Sequence, residues 1–188
     1  MFAFTALSAW GAADGLTWIL ETAPTWIGLV ILARIWQRLP LPPFVATILV
    51  VHALILATGG HWTYERVPFG YWMRDVLDLE RNAFDRLGHV FQGITPALLV
   101  REFLLRTTEL RGRWLPWVCI SMALAFSALY ELFEWFTVIL LDTSAEAFLG
   151  TQGDPFDAQA DMLCAFIGSS VAMLLTRALR SQPSPRAS

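Results

Sequence analysis

The chain has no lysine; its thirteen basic residues are all arginine. This excludes a Schiff-base lysine and a P-loop lysine, and with them two common routes to carbonyl and nucleotide chemistry. Cysteine is almost absent. Cys119 and Cys164 sit in apolar runs, form no CxxC pair, and read as small buried hydrophobes rather than as a disulfide or zinc framework. Histidine occurs only three times, and the chain has Glu131-x-x-Glu134 in place of the paired Glu-x-x-His motifs of a helical di-iron site, which argues against one. No basic stretch precedes the first apolar run, so no cleavable signal peptide is expected. No internal repeat is visible, and no nucleic-acid partner is expected of a chain with net charge −3.

What the chain has in excess is apolar surface. Over 188 residues it is 56% hydrophobic with nine tryptophans, and its mean hydropathy is +0.53. That is too apolar for a soluble domain of this size. The expected fold is all-α: a polytopic integral membrane helical bundle with five full spans and a partial sixth at the N-terminus. A single helical membrane domain is expected over 1–180, with 181–188 a disordered cytoplasmic tail rich in Ser and Pro. The run from Phe2 to Ala13 is too short to cross a bilayer alone, since a crossing needs about 20 residues. The spans read as Leu16 to Ile35, Phe44 to Thr58 (ended by Gly59-Gly60), Asn82 to Arg106, Trp114 to Leu141 and Asp157 to Leu179. Pro40, Pro42 and Pro43 break the chain between the first two. Residues 61–80 and 142–156 read as polar loops.

Arginine bias orients the bundle. Arg34, Arg38, Arg101, Arg106, Arg111, Arg113, Arg177, Arg180 and Arg186 fall on one side by alternation. Arg66, Arg74, Arg81 and Arg86 fall on the other. The richer side is expected in the cytoplasm. All carboxylates except Glu102 and Glu109 then belong to the opposite half.

The ionisable residues of that half fall into helix-spaced clusters beside or inside the spans, where an unpaired carboxylate costs about 2.5–3.5 kcal/mol or more. Asn82, Asp85, His89 and Gln92 repeat at three-four-three and form one stripe. Asp154, Asp157 and Asp161 form another, and Glu131 and Glu134 a third. At a ~1.5 Å rise per residue, His89, Glu134 and Asp161 each lie roughly 10–12 Å inward from the outer end of their helices. The simplest assembly points all three stripes into one polar cavity in the outer leaflet. Gly93, Gly168, Ser169 and Ser170 would let the helices approach closely.

Some polar groups have plainer explanations. Asp157 suits a helix N-terminus, with Asp154 as its cap. His52 reads as a satisfied helix–helix hydrogen bond. Arg101 and Glu102 read as snorkelling at the cytoplasmic end. Trp18, Trp26, Trp36, Trp114 and Trp117 read as an interfacial belt. Arg86 reads as the counter-ion of Asp85 or a glutamate. It cannot by itself neutralise Asp85, Glu131, Glu134, Asp157 and Asp161, so a divalent cation or bound protons are expected to fill the deficit.

Four separated blocks carry a resemblance. They are Gly59-Gly60-His61-x-Thr63-Tyr64, Arg81-Asn82-x-x-Asp85-Arg86-x-Gly88-His89-x-x-Gln92-Gly93, Tyr130-Glu131-x-x-Glu134-Trp135, and Gly150-Thr151-Gln152-Gly153-Asp154-x-x-Asp157-x-Gln159-x-Asp161-Met162. In this order, over roughly residues 16–176, they resemble the YjdF family. Phe156 and Ala160 stand where that family tends to have Trp. The resemblance implies a multi-pass protein of the bacterial inner membrane. More distantly, the Asp85–His89 and Asp157–Asp161 steps look like VanZ-type membrane proteins. Neither resemblance supplies a reaction.

The first functional expectation is therefore a metal-dependent enzyme acting on a membrane lipid or lipid-linked small molecule from the outer side. Asp85, His89, Glu131, Glu134, Asp157 and Asp161 form the catalytic pool. His89, Glu131, Glu134, Asp157 and Asp161 are the metal ligands, for a divalent ion such as Mg²⁺, Mn²⁺, Zn²⁺ or Fe²⁺. His61, Tyr64, Asn82, Arg86, Gln92, Gln152 and Asp154 are expected to meet substrate, with His61 or Tyr64 folding over the mouth from a loop that turns at Gly59-Gly60. The alternatives are a proton- or cation-coupled binding or transport protein and a non-enzymatic assembly factor. Oligomeric state is not legible.

Overall fold

The computed structural model describes residues 2–35, 40–141 and 150–181. Among them are seven α-helices and no strand: α1 (Phe2–Leu7), α2 (Gly15–Ile35), α3 (Pro43–Trp62), α4 (Pro68–Leu77), α5 (Phe84–Thr107), α6 (Trp114–Leu141) and α7 (Asp157–Ser181). A single 3₁₀ turn, Tyr64–Arg66, joins α3 to α4. The start of the expected polar loop, 142–149, and the tail 182–188 lie outside the described residues.

The all-helical architecture is observed among the described residues, but the count of apolar spans differs. Among the described residues four helices are long and apolar enough to cross a membrane: Gly15–Ile35, Pro43–Trp62, Trp114–Leu141 and Asp157–Arg177. The 24-residue α5 has the length without the apolarity, because Asp85, Arg86, Arg101, Glu102 and Arg106 interrupt it. Its neighbours explain how it tolerates them: α5 packs against α7, α6 and α3. At the N-terminus, the expected partial sixth span is a six-residue helix.

The bundle is inside-out relative to a soluble domain. Leu129, Leu132, Trp135, Phe136, Ile139 and Leu140 of α6 stand exposed, whereas Glu134 and Ser127 on the same helix are buried. Small residues let α5 and α7 touch. A Cβ at Gly93 would collide with the backbone of Ala165, and one at Gly168 with the backbone of Val90. Because these glycines oppose backbone on the facing helix, the polar residues one or two turns away on both helices are brought face to face.

Two local expectations are corrected. Gly59 and Gly60 do not end α3; the helix runs through them to Trp62 and stops at Thr63, whose φ is +59°. The glycines serve packing instead. The Tyr64 ring fills the space a Cβ at Gly59 would need, and Gly60 lies against Trp18 and Glu21 of α2. The second correction is that 61–80 is no open loop. Pro68 sits at the start of α4, a favoured position because proline there loses no helical hydrogen bond, and Asp78 ends the helix in the left-handed conformation.

Candidate functional site

Asn82 does not belong to α5, as the spacing suggested, but braces its start. Its Oδ1 accepts the Phe84 amide proton (3.0 Å) and its Nδ2 donates to the Val67 carbonyl (3.0 Å). Its backbone pairs reciprocally with the Gln152 side chain, Asn82 N to Oε1 at 3.0 Å and Nε2 to Asn82 O at 3.1 Å. One buried amide thus ties together the 3₁₀–α4 corner, the head of α5 and the segment before α7.

From that fixed start, Asp85, His89 and Gln92 all point inward and are buried. His89 Nε2 is the centre of the site. It lies 3.5 Å from Glu131 Oε1, 3.6 Å from Asp85 Oδ1 and 3.8 Å from Asp161 Oδ1. Three helices, α5, α6 and α7, therefore deliver their polar stripes to one point. Asp85, His89 and Asp161 each offer a ligand atom within 4.8 Å of the others. Both Glu131 Oε1 and His89 Nδ1 are buried and make no hydrogen bond of acceptable geometry.

Two arginines, not one, face these carboxylates. Arg86 Nη1 is 2.5 Å from Asp161 Oδ1, and its Nη2 is 2.8 Å from Asp157 Oδ1 and 3.2 Å from Asp154 Oδ2. Arg81 Nη1 reaches Asp157 Oδ1 at 2.5 Å, and its Nη2 lies 3.9 Å from Asp85 Oδ2. Arg81 also donates to the carbonyls of Thr151 and Gly150, both at 2.9 Å. Asp157 is thus satisfied by two guanidiniums and sits among cations rather than in the ligand set nearest His89. Asp154 plays its expected local part by accepting the Phe156 amide at 2.9 Å.

Two cavities flank the centre. An inner chamber of about 30 Å³ is bounded by Glu21, His52, Tyr64, Asp85, His89 and Glu134, among others. It is large enough for a water, which needs about 10–15 Å³ and several polar neighbours. An outer, more open cavity of about 420 Å³ is lined by Glu131, Glu134, Trp135, Asp154 and Asp157 together with the 151–155 segment. Its size falls in the range of small-molecule sites, about 300–1,000 Å³. Glu134 borders both.

Several residues stand elsewhere than their sequence context suggested. His61 does not cover the mouth: its Nδ1–H donates to the Ser8 carbonyl (2.8 Å), and the Ala13 amide returns a bond to the His61 carbonyl (2.8 Å). It fastens the N-terminal segment to α3. Tyr64 turns inward and borders the inner chamber, not the mouth. His52 Nε2 is buried with no hydrogen-bond partner, so it is not the satisfied helix–helix contact expected. Trp18 is tied inward as well, donating from Nε1 to Ser8 Oγ (2.9 Å).

Arg101 and Glu102 do not snorkel. Both are buried, with Arg101 Nη1 2.6 Å from Glu102 Oε1 and Arg106 Nη2 3.3 Å from Glu102 Oε2. Glu21 was missed. It reads as a flank of the first span, yet it is buried in α2 and accepts a hydrogen bond from the Tyr130 hydroxyl (3.0 Å). Its position seven residues into an apolar run was the available signal, because a flanking carboxylate belongs within the first turn.

A family model described as a predicted membrane protein, DUF2238, matches residues 1–182. The chain is 42% identical over 172 residues to "Inner membrane protein YjdF" of Escherichia coli (strain K12), covering 91% of this chain and 81% of that protein. The resemblance carried by the four sequence blocks is borne out. No solved structure matches.

Proposed function

The chain belongs to the DUF2238 family of predicted membrane proteins, and from that premise we propose that it is a multi-pass inner-membrane protein that holds a divalent cation and acts on a lipid or lipid-linked substrate. In this proposal α5 is a crossing added to the four apolar ones, third in chain order, and shielded from lipid by α3, α6 and α7. The arginine distribution supports a site in the outer leaflet.

The observation that carries the proposal is the convergence on His89. Donor atoms around one ion with bonds of about 2.0–2.5 Å stand roughly 3–3.8 Å from one another. The 3.6–3.8 Å separations of His89 Nε2 from Asp85 and Asp161 suit such a shell, and Glu131 Oε1 stands 3.5 Å from the same nitrogen. They are too long for hydrogen bonds. A metal-bound imidazole needs a partner for its other nitrogen, and a water in the inner chamber would supply one for His89 Nδ1. The ion would polarise an ester or phosphoryl oxygen of a substrate in the outer cavity. Glu134, which borders both cavities, would accept the proton of the attacking group. Asp154 would meet the headgroup at the rim, while the Gln152 side chain stays engaged with the Asn82 backbone.

One contact favours a second reading. Arg86 already occupies the Asp161 oxygen that a metal would use, so a cation must displace or share it. If it does not, the site is a proton- or cation-responsive binding centre without a resident metal.

Elemental analysis of detergent-purified protein separates the two. The expected result is about one divalent ion per chain, lost in His89→Ala and in Asp85→Asn while folding is retained. Absence of stoichiometric metal after growth with Mg²⁺, Mn²⁺, Zn²⁺ and Fe²⁺ would sink the enzyme proposal. Cysteine-accessibility mapping checks the orientation: labels at 150–156 and at 108–113 should react from opposite faces of the membrane.

A further inference from the structure

The helix α4 plays no part in the site as described, yet its composition is unusual for a connection. Phe69, Trp72, Met73 and Val76 recur at i, i+3, i+4 and i+7, the spacing of one helical face. Tyr71, Arg74, Asp75 and Asp78 take the other face. Phe69, Trp72 and Val76 are exposed, and within α4 only Gly70 is buried. Phe69 and Trp72 stack on each other at 5.1 Å between centroids instead of packing into the bundle. On the polar face Arg74 pairs with Asp75 at 2.7 Å and lies over the Tyr71 ring.

The position of α4 in the chain says what covers this apolar face. It leaves the end of the span α3 after only the turn at 63–67, and α5 re-enters the bundle at Phe84. Both ends are therefore held at the level where helices meet headgroups. Trp62, at the end of α3, is exposed as well. An amphipathic helix with aromatics on one face and charges on the other is the form that lies in the plane of a bilayer.

We propose that α4 is an in-plane membrane anchor, its Phe69–Trp72–Val76 face seated among the lipids on the side where the site opens, and that this seating holds the rim of the outer cavity. The linkage is short. A Cβ at Gly70 would fall on the Asn82 side-chain amide, so α4 and Asn82 are in backbone-level contact. Asn82 in turn grips Gln152, next to Thr151 and Gly153 of the outer cavity. Withdrawal of α4 from the membrane pulls on the amide that positions both the head of α5 and the 150–155 rim. This makes the site sensitive to the lipid surface, whatever chemistry occurs within it.

Nitroxide labels on the full chain in proteoliposomes test the seating. They are placed singly at Val76→Cys and Asp75→Cys after replacing Cys119 and Cys164 with alanine. The ratio of oxygen to nickel-chelate accessibility should be several-fold higher at 76 than at 75. Equal, water-like ratios would overturn the anchor, and shielding of position 76 from both reagents would assign the face to a protein partner instead. A second measurement tests the linkage. Trp72→Glu with Val76→Glu, or the milder Val76→Gln if the double variant fails to insert, should raise deuterium uptake of segment 79–86 several-fold while α6 stays protected. Unchanged uptake there would overturn the link to the rim. Neither readout depends on a bound metal, so these outcomes are independent of the fate of the proposed enzyme.

Discussion

Helix α5 carries a charged cluster at each end, and the two differ in kind. At the Arg101–Glu102–Arg106 end, one carboxylate is shared by two guanidiniums, and Arg106 also donates to the Pro40 carbonyl at 2.6 Å. At the Asp85–His89 end, carboxylates outnumber arginines, a histidine stands at 3.5–3.8 Å from three of them, and buried donor atoms go unused beside two cavities. The first end is a closed ion-pair network, which fixes register. The second is open in charge and in space, which is the condition for taking up a ligand. Burial alone does not separate them, since Arg101 and Glu102 are buried as Asp85 and His89 are; the balance of donors and acceptors does.

The largest expected effect falls on the closed end. Glu102→Ala removes the carboxylate that Arg101 and Arg106 share and should cost about 3–5 kcal/mol, as loss of one partner of a buried pair does. Thermal unfolding in detergent would read this as a large drop in Tm, and a small drop would erase the contrast between the ends. Next is the crossing that holds the open end together. Gly93→Val would press against the Ala165 backbone and should cost about 1–3 kcal/mol or more, with loss of the His89–Asp161 approach. A variant of wild-type stability would mean that α5 and α7 can separate without consequence.

His61→Ala should be milder, about 1 kcal/mol for one hydrogen bond. It should raise proteolysis within residues 2–13 and leave the metal content unchanged. Loss of metal would return His61 to the site. The smallest change in stability belongs to Asp85→Asn. With variant and wild type both stripped of metal, it removes one negative charge from a cluster with too many, so the unfolding free energy should change by less than about 1 kcal/mol, or rise. A loss as large as that of Glu102→Ala would show that the open end is structural too.

The α6 and α7 helices were legible because long apolar runs with proline or glycine at their borders admit one assignment. By contrast, α4 escaped, since ten residues with alternating charge and aromatics fall below the length at which hydropathy speaks. Gly59-Gly60 misled for a related reason. Glycine marks either a turn or a close approach, and only the ring of Tyr64 over Gly59 decides which. Arg81 was overlooked as a partner because it precedes the helix whose stripe it serves.

The sequence by itself determined that this is a helical membrane chain, that it belongs with the YjdF-like proteins, and that Asp85 and His89 share a helix face, as do Asp157 and Asp161. The family follows from the resemblance of four ordered blocks, and the other statements from composition and a repeat of 3.6 residues, which are properties of single helices. Tertiary structure alone decided which faces meet. It joined Glu21 to Tyr130, set Arg81 and Arg86 on Asp157, turned His61 toward Ser8 and gave Arg101 a buried partner. Periodicity locates a side chain around its own axis, whereas ion pairs, cavities and ligand shells depend on the distance between axes, set here by glycines pressed against facing backbone.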